Sequence, residues 1–278
     1  TTILKLLVGF YKTTKGEVLY DNKKLNKTQD KLREEIGFTT QDSAFYPKLT
    51  VEENIRYFGA LYGLKKQTIE NNLERILKLV ELEDVRSKTA EYLSGGMQRR
   101  LDMACSLIHV PRVVILDEPT EDLDPVLRKE ILHLIRKIKE IGTTVIITSH
   151  RLDDIEQVCD RVAILHNKKI IRAGALNQLK KQYSEDEEIH IQTFPGDYKT
   201  IIKNIDSYDE YYIENNKLVI KTKKAERVLH EILHIIENTG EKLLYVDVQR
   251  PTLEEVFQSL TKDVNAQRGF LRKQWKDY

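Results

Sequence analysis

Two short apolar runs with an amphipathic segment between them constrain the fold of this chain more than any other feature. Residues 113–116 and 145–147 have the length and the β-branched content of buried parallel strands. Between them, apolar residues from Leu127 to Ile138 recur at helical spacing after Asp124, a candidate N-cap. A strand, a helix and a strand in this order predict a right-handed crossover, and therefore an α/β fold with a parallel sheet.

The first of these runs ends in two adjacent carboxylates, Asp117 and Glu118. A strand that ends there delivers Asp117 to the carboxyl edge of the sheet, where an aspartate can hold Mg²⁺ through water. Glu118 is then placed to orient or deprotonate a water molecule. Neighbouring carboxylates repel each other, and a bound metal relieves that cost. The pair therefore predicts a magnesium site with a general base beside it.

A serine and two glycines stand at the start of another predicted helix. Ser94, Gly95 and Gly96 leave backbone N–H groups open to a phosphate, and the helix dipole adds positive potential there. By itself the same pattern also fits a Gly-Gly turn with a serine cap. We interpret the segment as a candidate phosphate-binding site because of the motifs that accompany it.

Two further polar side chains follow predicted strands. Gln41 ends the strand at 36–40, and its carbonyl oxygen can reach a metal ion or an attacking water. His150 follows the strand at 143–148 and can donate a hydrogen bond to a γ-phosphate. Each signal is weak alone, since a single histidine after a strand is more often an incidental surface residue.

In composition, order and spacing, these motifs together resemble those of the ABC-type ATPase. The matching segments are Gln41, residues 93–98, residues 116–120, residues 123–124 and His150. The resemblance covers roughly residues 1–180 and implies a P-loop NTPase core of the ABC type, with a helical insertion, that binds and hydrolyses ATP.

The resemblance also implies which residues bind the nucleotide and its metal. Thr1, Gln41 and Asp117 would surround Mg²⁺, with Gln41 as the Q-loop glutamine and Asp117 as the Walker B aspartate. Thr1 and Thr2 would contact the nucleotide. Glu118 would be the catalytic glutamate.

Further residues would act at the γ-phosphate and at a subunit interface. His150 would be the switch histidine, and Asp124 the D-loop aspartate that contributes to the nucleotide site. The signature residues assigned to the nucleotide are Ser94, Gly95, Gly96 and Gln98. Because the family works as head-to-tail nucleotide sandwiches, Ser94 and Gly96 would serve the ATP bound to the partner subunit.

Two features depart from the family pattern. Glu121 and Asp122 stand before Leu-Asp, where the family commonly has a small residue and Gly, and this puts interface details in doubt. At the start, residues 1–7 look like the helix that directly follows the Gly-Lys of a Walker A loop. On that interpretation the printed chain begins just after the Gly-Lys, and we expect it to bind ATP very poorly and to hydrolyse it undetectably.

The patterning predicts two folded domains. Residues 1–182 form the ATPase domain, with a helical insertion at about 48–93, and residues 183–188 form an acidic linker. Residues 189–262 have the order βαββαβ, which predicts a small ferredoxin-like α+β accessory domain. The basic, aromatic tail at 263–278 fits either a membrane interface, as in the lead-in helix of a permease, or a disordered C-terminus.

Composition limits the partners. The net charge is +1, so no global field favours nucleic acid, and we expect no nucleic-acid partner.

The two cysteines, at 105 and 159, fit a reducing compartment. No apolar run reaches the ~18 residues of a membrane span. With the resemblance, these properties place the protein in the cytoplasm, peripheral to the cytoplasmic face of the membrane.

The family resemblance implies a transmembrane permease, as a subunit or a fused domain, and a second ATPase subunit in a homo- or heterodimer. Residues 46–54 and 251–257 look like the ABC-2 group, which exports drugs, lipids or polysaccharides. A soluble ABC ATPase acting on ribosomes or DNA is the alternative, but such proteins usually carry two cassettes or a long coiled coil. A non-hydrolysing binding module is a third alternative, which the presence of Glu118 and His150 does not favour.

Overall fold

The computed structural model describes residues 1–24, 34–183, 187–205, 208–249, 252–258 and 260. The chain divides into two compact units, Thr1–Val158 and Cys159–Tyr278. The division falls at residue 158, whereas the sequence pattern placed a linker at 183–188. The domain boundaries drawn from the sequence stay a prediction, and the basic tail lies outside the described residues.

The first unit alternates helices with strands. Its elements are α1 (Thr2–Leu7), β1 (Leu19–Tyr20), β2 (Lys23–Lys24), β3 (Ile36–Thr39), α2 (Val51–Leu61), α3 (Lys66–Val80), α4 (Gly95–Leu107), β4 (Val113–Asp117), α5 (Pro125–Glu140), β5 (Thr144–Thr148) and α6 (Leu152–Val158). Strands β3, β4 and β5 form a parallel sheet with β4 in the centre. The predicted α/β fold with a parallel sheet is thus confirmed.

The core of this unit lies around β4 and the helices next to it. Ile115 of β4 is fully buried and clusters with Leu4 of α1 and Ile36 of β3. This contact fixes the start of α1 near the sheet. Strand β5 is less buried than its apolar run predicted, and Ile146 is 36% exposed. The reason is position, since β5 pairs only with β4 among the described strands and forms an edge of the sheet.

Two helices follow β3 and form the predicted helical insertion. Thr50 and Glu53 form a capping box at the start of α2, because Glu53 N–H donates to the Thr50 hydroxyl while the Glu53 carboxylate accepts from Thr50 N–H. The apolar face that helical spacing predicts for α3 is buried throughout; its residues are Ile69, Leu73, Ile76, Leu77 and Val80. In α2 the apolar spacing of Ile55, Phe58 and Leu61 predicts that Leu61 points inward, but this prediction is wrong, since Leu61 is 62% exposed. The buried stripe runs through Ile55 and Gly59, and Leu61 lies about 200° around the helix from Gly59.

The second unit begins with a hairpin and a helix, followed by an open sheet covered by helices. Its elements are β6 (Arg161–His166), β7 (Lys169–Ala175), α7 (Leu176–Tyr183), β8 (Glu187–Phe194), α8 (Tyr198–Lys203), β9 (Glu210–Glu214), β10 (Lys217–Thr222), α9 (Ala225–Thr239) and β11 (Lys242–Gln249). The four-stranded sheet has the order β11-β8-β10-β9, with every neighbouring pair antiparallel.

This order confirms the ferredoxin-like fold that the sequence predicted for the accessory domain. Ile189 and Ile191 of β8 and Ile220 of β10 face α8 and α9, which bury Ile201 and Ile232 against them. The alternation of apolar and polar residues along β8 fits a sheet with helices on one face. Among the helices of the described residues, none has the length and hydropathy needed to cross a membrane.

The packing of α4 on β3 makes Gly37 intolerant of a side chain. A Cβ at Gly37 would overlap the backbone carbonyl of Ser106 on α4, which cannot move without shifting the helix. We expect Gly37→Ala to lower the free energy of unfolding by at least about 1–3 kcal/mol, the usual cost of overpacking a core. Denaturant unfolding followed by far-ultraviolet circular dichroism measures this loss.

Gly95→Ala is the matched control, because nothing lies within 4 Å of a Cβ at Gly95. Alanine also has the higher helix propensity, so this variant should be as stable as the parent or slightly more stable. Equal stability of the Gly37 variant and the control would show that α4 does not pack on β3 in this way.

Candidate functional site

The parallel register of β4 and β5 brings Asp117 and Thr148 together. The two residues are direct partners at the carboxyl ends of their strands. The Thr148 hydroxyl donates to Asp117 Oδ1 over 2.6 Å, and Glu118 N–H donates to the same hydroxyl at 3.2 Å. One threonine thus orients Asp117 and the backbone of the residue that follows it.

Asp117 is almost fully enclosed, with 1% of its surface exposed. The backbone nitrogen of Thr1 lies 3.5 Å from Oδ1. Burial raises the pKa of Asp117, but interactions with Thr1, including the charge of its terminal amine, and the Thr148 bond lower it more, so that the pKa lies below its usual value. The buried Oδ2 has no hydrogen-bond partner within the described part of the chain. An ionised carboxylate with one unsatisfied oxygen is suited to bind a cation.

Glu118 and His150, predicted from the sequence as the catalytic pair, are in contact. Glu118 Oε2 lies 3.1 Å from His150 Nδ1 and 3.4 Å from the backbone nitrogen of His150. Glu118 has a positive φ of 48°, which turns the chain sharply as it leaves β4. Because an ionised carboxylate only accepts, Nδ1 donates in this contact, and the imidazole donates from Nε2 as well only when it is protonated.

The signature residues lie at the start of α4, as predicted. Ser94 is the N-cap, and its hydroxyl accepts from Met97 N–H at 3.3 Å. Gly95 has open space where a side chain would stand, whereas a Cβ at Gly96 would meet the side chain of Leu127. Gln98 donates to the carbonyl of Ala90, so in this structure it braces the preceding turn.

Three other predicted residues have different surroundings. Asp124 caps α5, accepting from Val126 N–H at 2.8 Å and Leu127 N–H at 3.1 Å. Gln41 is exposed, and its Nε2 donates over 2.7 Å to the carboxylate of Glu121. Thr2 is the first residue of α1 and is exposed.

Several residues that position the site were not singled out from the sequence. Thr148 stands two residues before His150 in the sequence. A parallel pairing of the two predicted strands would have placed it opposite Asp117, and this was the available signal. Thr120 was visible in the Asp-Glu-Pro-Thr run, but its buried bond to Asp154 on α6, at 2.6 Å, joins segments that no sequence spacing relates. The same holds for Arg99, whose contacts are described below.

Comparison with known proteins bears on the family and the fold. Residues 1–121 match a family model described as ABC transporter. The chain is 30% identical over 266 residues to the linearmycin resistance ATP-binding protein LnrL of Bacillus subtilis, covering 94% of this chain and 85% of LnrL.

The chain belongs to the ABC transporter ATP-binding family. Members of this family are ATP hydrolases of the P-loop NTPase type.

Other similarities extend this family assignment. The chain is 34% identical over 188 residues to the probable multidrug ABC transporter ATP-binding protein YbhF of Escherichia coli, covering 68% of this chain but only 32% of YbhF. Among solved structures, a dimeric ATP-binding cassette, MJ0796, in a post-hydrolysis state with ADP and phosphate superposes with a TM-score of 0.55. The sequence identity is 28%, over 63% of this chain and 79% of that one.

The role of Thr148 in this ABC ATPase can be tested on Asp117 directly. Thr148→Val removes a hydroxyl that donates to the ionised carboxylate, so we expect the pKa of Asp117 to rise. The chemical shift of the Asp117 carboxyl carbon, followed by nuclear magnetic resonance across pH, reports this change. Thr148→Ser keeps the donor and should keep the parent's pKa; a Thr148→Val titration that matches the parent would refute the assigned bond.

Proposed function

We propose that this chain is the ATP-hydrolysing subunit of an ABC exporter, in which Glu118 activates the attacking water. The observation that carries the proposal is the meeting of four groups at one sheet edge. Asp117 has an unsatisfied carboxylate oxygen, Thr148 orients it, and Glu118 lies next to it in contact with His150. A metal-binding carboxylate beside a general base is the arrangement that phosphoryl transfer to water requires.

The residues of this edge fit Mg²⁺. Asp117 and the Thr1 hydroxyl supply the oxygen donors that Mg²⁺ prefers, and the ion keeps further sites for water and phosphate oxygens. The unpartnered, buried Oδ2 supplies the negative charge that the ion needs. Bound there, Mg²⁺ would neutralise the charge that develops on the phosphates during hydrolysis.

The protein groups then have separate tasks. Glu118 accepts the proton of the attacking water and, with His150, fixes the direction of attack. When its imidazole is protonated on both nitrogens, His150 can donate to the γ-phosphate from Nε2, the nitrogen that Glu118 does not occupy. The Nε2 of Gln41 donates to Glu121, which leaves the side-chain carbonyl oxygen of Gln41 available to the metal.

A second ATPase subunit completes the site in this proposal. The open N-terminus of α4 carries Ser94, Gly95 and Gly96, whose N–H groups and helix dipole suit a phosphate. In a head-to-tail dimer these residues serve the ATP of the partner, with Asp124 near the interface. The dimeric form of the similar cassette supports this arrangement.

We further infer that the chain energises a transmembrane permease at the cytoplasmic face of the membrane, as a subunit of the drug-exporter type. Support comes from the names of relatives, which include the linearmycin resistance protein above. The alternative, an ABC ATPase that acts on ribosomes or DNA, has no specific observation in its favour.

Replacing the proposed base separates hydrolysis from binding. In protein that carries a complete phosphate-binding loop, called the full-length protein below, Glu118→Gln should lower the single-turnover rate of ATP hydrolysis by ~10²–10⁴-fold, the usual loss when a positioned base is removed. The ATP dissociation constant should change by less than about threefold, because Glu118 is not needed to bind phosphate. Rapid-quench measurement of product and titration with labelled ATP give the two quantities.

Glu140→Gln is the matched control, since Glu140 is an exposed carboxylate at the end of α5. It should hydrolyse ATP at the parent rate. A Glu118→Gln rate within a few-fold of the parent would exclude Glu118 as the base and leave the proposed mechanism without its central group.

A further inference from the structure

A single arginine of α4 joins the two strand ends that carry the site. Arg99 lies five positions after Ser94, and only 11% of its side chain is exposed. Its Nη1 donates to the carbonyls of Thr40 and Gln41, at 3.3 and 3.2 Å, and its Nη2 donates to the carbonyl of Glu118 at 3.4 Å. The guanidinium therefore spans the backbone just beyond β3 and just beyond β4.

A buried carboxylate on the next turn of α4 supports this arginine. Asp102 is 2% exposed, and its Oδ1 accepts from Ala44 N–H at 2.9 Å, three residues after Gln41. Its Oδ2 lies 4.0 Å from Arg99 Nη1. Burial raises the pKa of Asp102 to about 6, against the opposing effects of the Ala44 bond and the Arg99 charge. Arg99 is the positive charge next to this carboxylate.

The planar fork of a guanidinium explains why arginine suits this place. Two nitrogens held at a fixed separation donate to carbonyls on different strands, which a single ammonium cannot do with the same geometry. Contacts of 3.2–3.4 Å to three carbonyls are individually modest, but they act on one rigid group. The backbone positions of Gln41 and Glu118 are thus tied to each other through α4.

We propose that Arg99 is a positioning residue for ATP hydrolysis, which holds the backbones of Gln41 and Glu118 at the separation that catalysis requires. This inference rests on the proposed function, because it needs Glu118 to act on the attacking water. Arg99 touches neither nucleotide nor metal in this scheme. Its loss should therefore lower kcat and leave ATP binding largely intact.

The neighbouring arginine provides a matched comparison. Arg100 is similarly enclosed, with 13% of its side chain exposed, and it also makes several polar contacts. These contacts go to the Val80 carbonyl and to the carboxylates of Glu81 and Glu130, on the end of α3 and on α5. Arg100 therefore braces the helices without reaching the strand ends at Gln41 and Glu118, so its loss tests a purely structural role.

The experiment compares Arg99→Gln, Arg99→Lys and Arg100→Gln in the full-length protein, with the folded fraction of each measured by thermal unfolding. We expect kcat per folded molecule to fall by ~10²-fold for Arg99→Gln, the scale of a small misplacement of a reacting group. Arg99→Lys should fall by about tenfold, since lysine keeps the charge but not the fork. Arg100→Gln should lower stability while kcat per folded molecule stays within about threefold of the parent.

The outcomes separate this inference from its premise. If Arg99→Gln does not fold, Arg99→Lys decides: a parent-like kcat overturns the proposal. An equal loss of kcat in Arg100→Gln also overturns it, because the effect would then be general to α4. A rise in the ATP dissociation constant that accounts for the whole loss of activity would overturn the proposal, because Arg99 would then be a binding residue.

Glu118→Gln, measured in parallel, tests the proposed function itself. A parent-like rate in that variant would remove the premise of this inference, whatever the result for Arg99.

Discussion

The arrangement of this ABC ATPase site depends on the parallel pairing of β4 with β5. Because these strands run in the same direction and in register, Asp117 lies opposite Thr148, and the residues that follow each strand leave from the same edge. Glu118 and His150 can therefore meet although they are far apart in the chain. An antiparallel pairing would have placed the end of one strand beside the start of the other and separated the two groups.

Three almost fully buried aspartates surround this edge, and they share one pattern of hydrogen bonding. Asp102, Asp117 and Asp154 each accept a hydrogen bond on one oxygen, from Ala44 N–H, the Thr148 hydroxyl and the Thr120 hydroxyl respectively. In each, the second oxygen has no hydrogen bond among the described residues. Nearby positive charge, from Arg99 at Asp102 and from Arg128 and Arg151 at Asp154, offsets the cost of burial. Asp117 alone of the three lies at a strand end.

Periodicity was sufficient for much of the fold and insufficient for contacts between distant segments. The apolar face of α3 and the βαββαβ order of the second unit follow from local patterns, and both agree with the structure. The exposure of Ile146 and Leu61 depends on which neighbours cover them, which a local window does not contain. The contacts of Thr148 and Arg99 join residues 31 and up to 59 positions apart, so they become visible only in the folded chain.

In the proposed mechanism, the left-handed backbone of Glu118 sets function against stability at that position. A φ of 48° is a conformation that costs a residue with a side chain of order 1–2 kcal/mol, and glycine adopts it without that penalty. Selection for stability alone would therefore tend to replace this glutamate by glycine or asparagine, which tolerate the turn better. If random variants were screened for thermostability without an assay of hydrolysis, we expect the screen to favour variants at position 118 that are more stable but hydrolyse ATP poorly. The backbone turn that brings Glu118 beside His150 therefore carries a conformational cost, which the proposed mechanism explains.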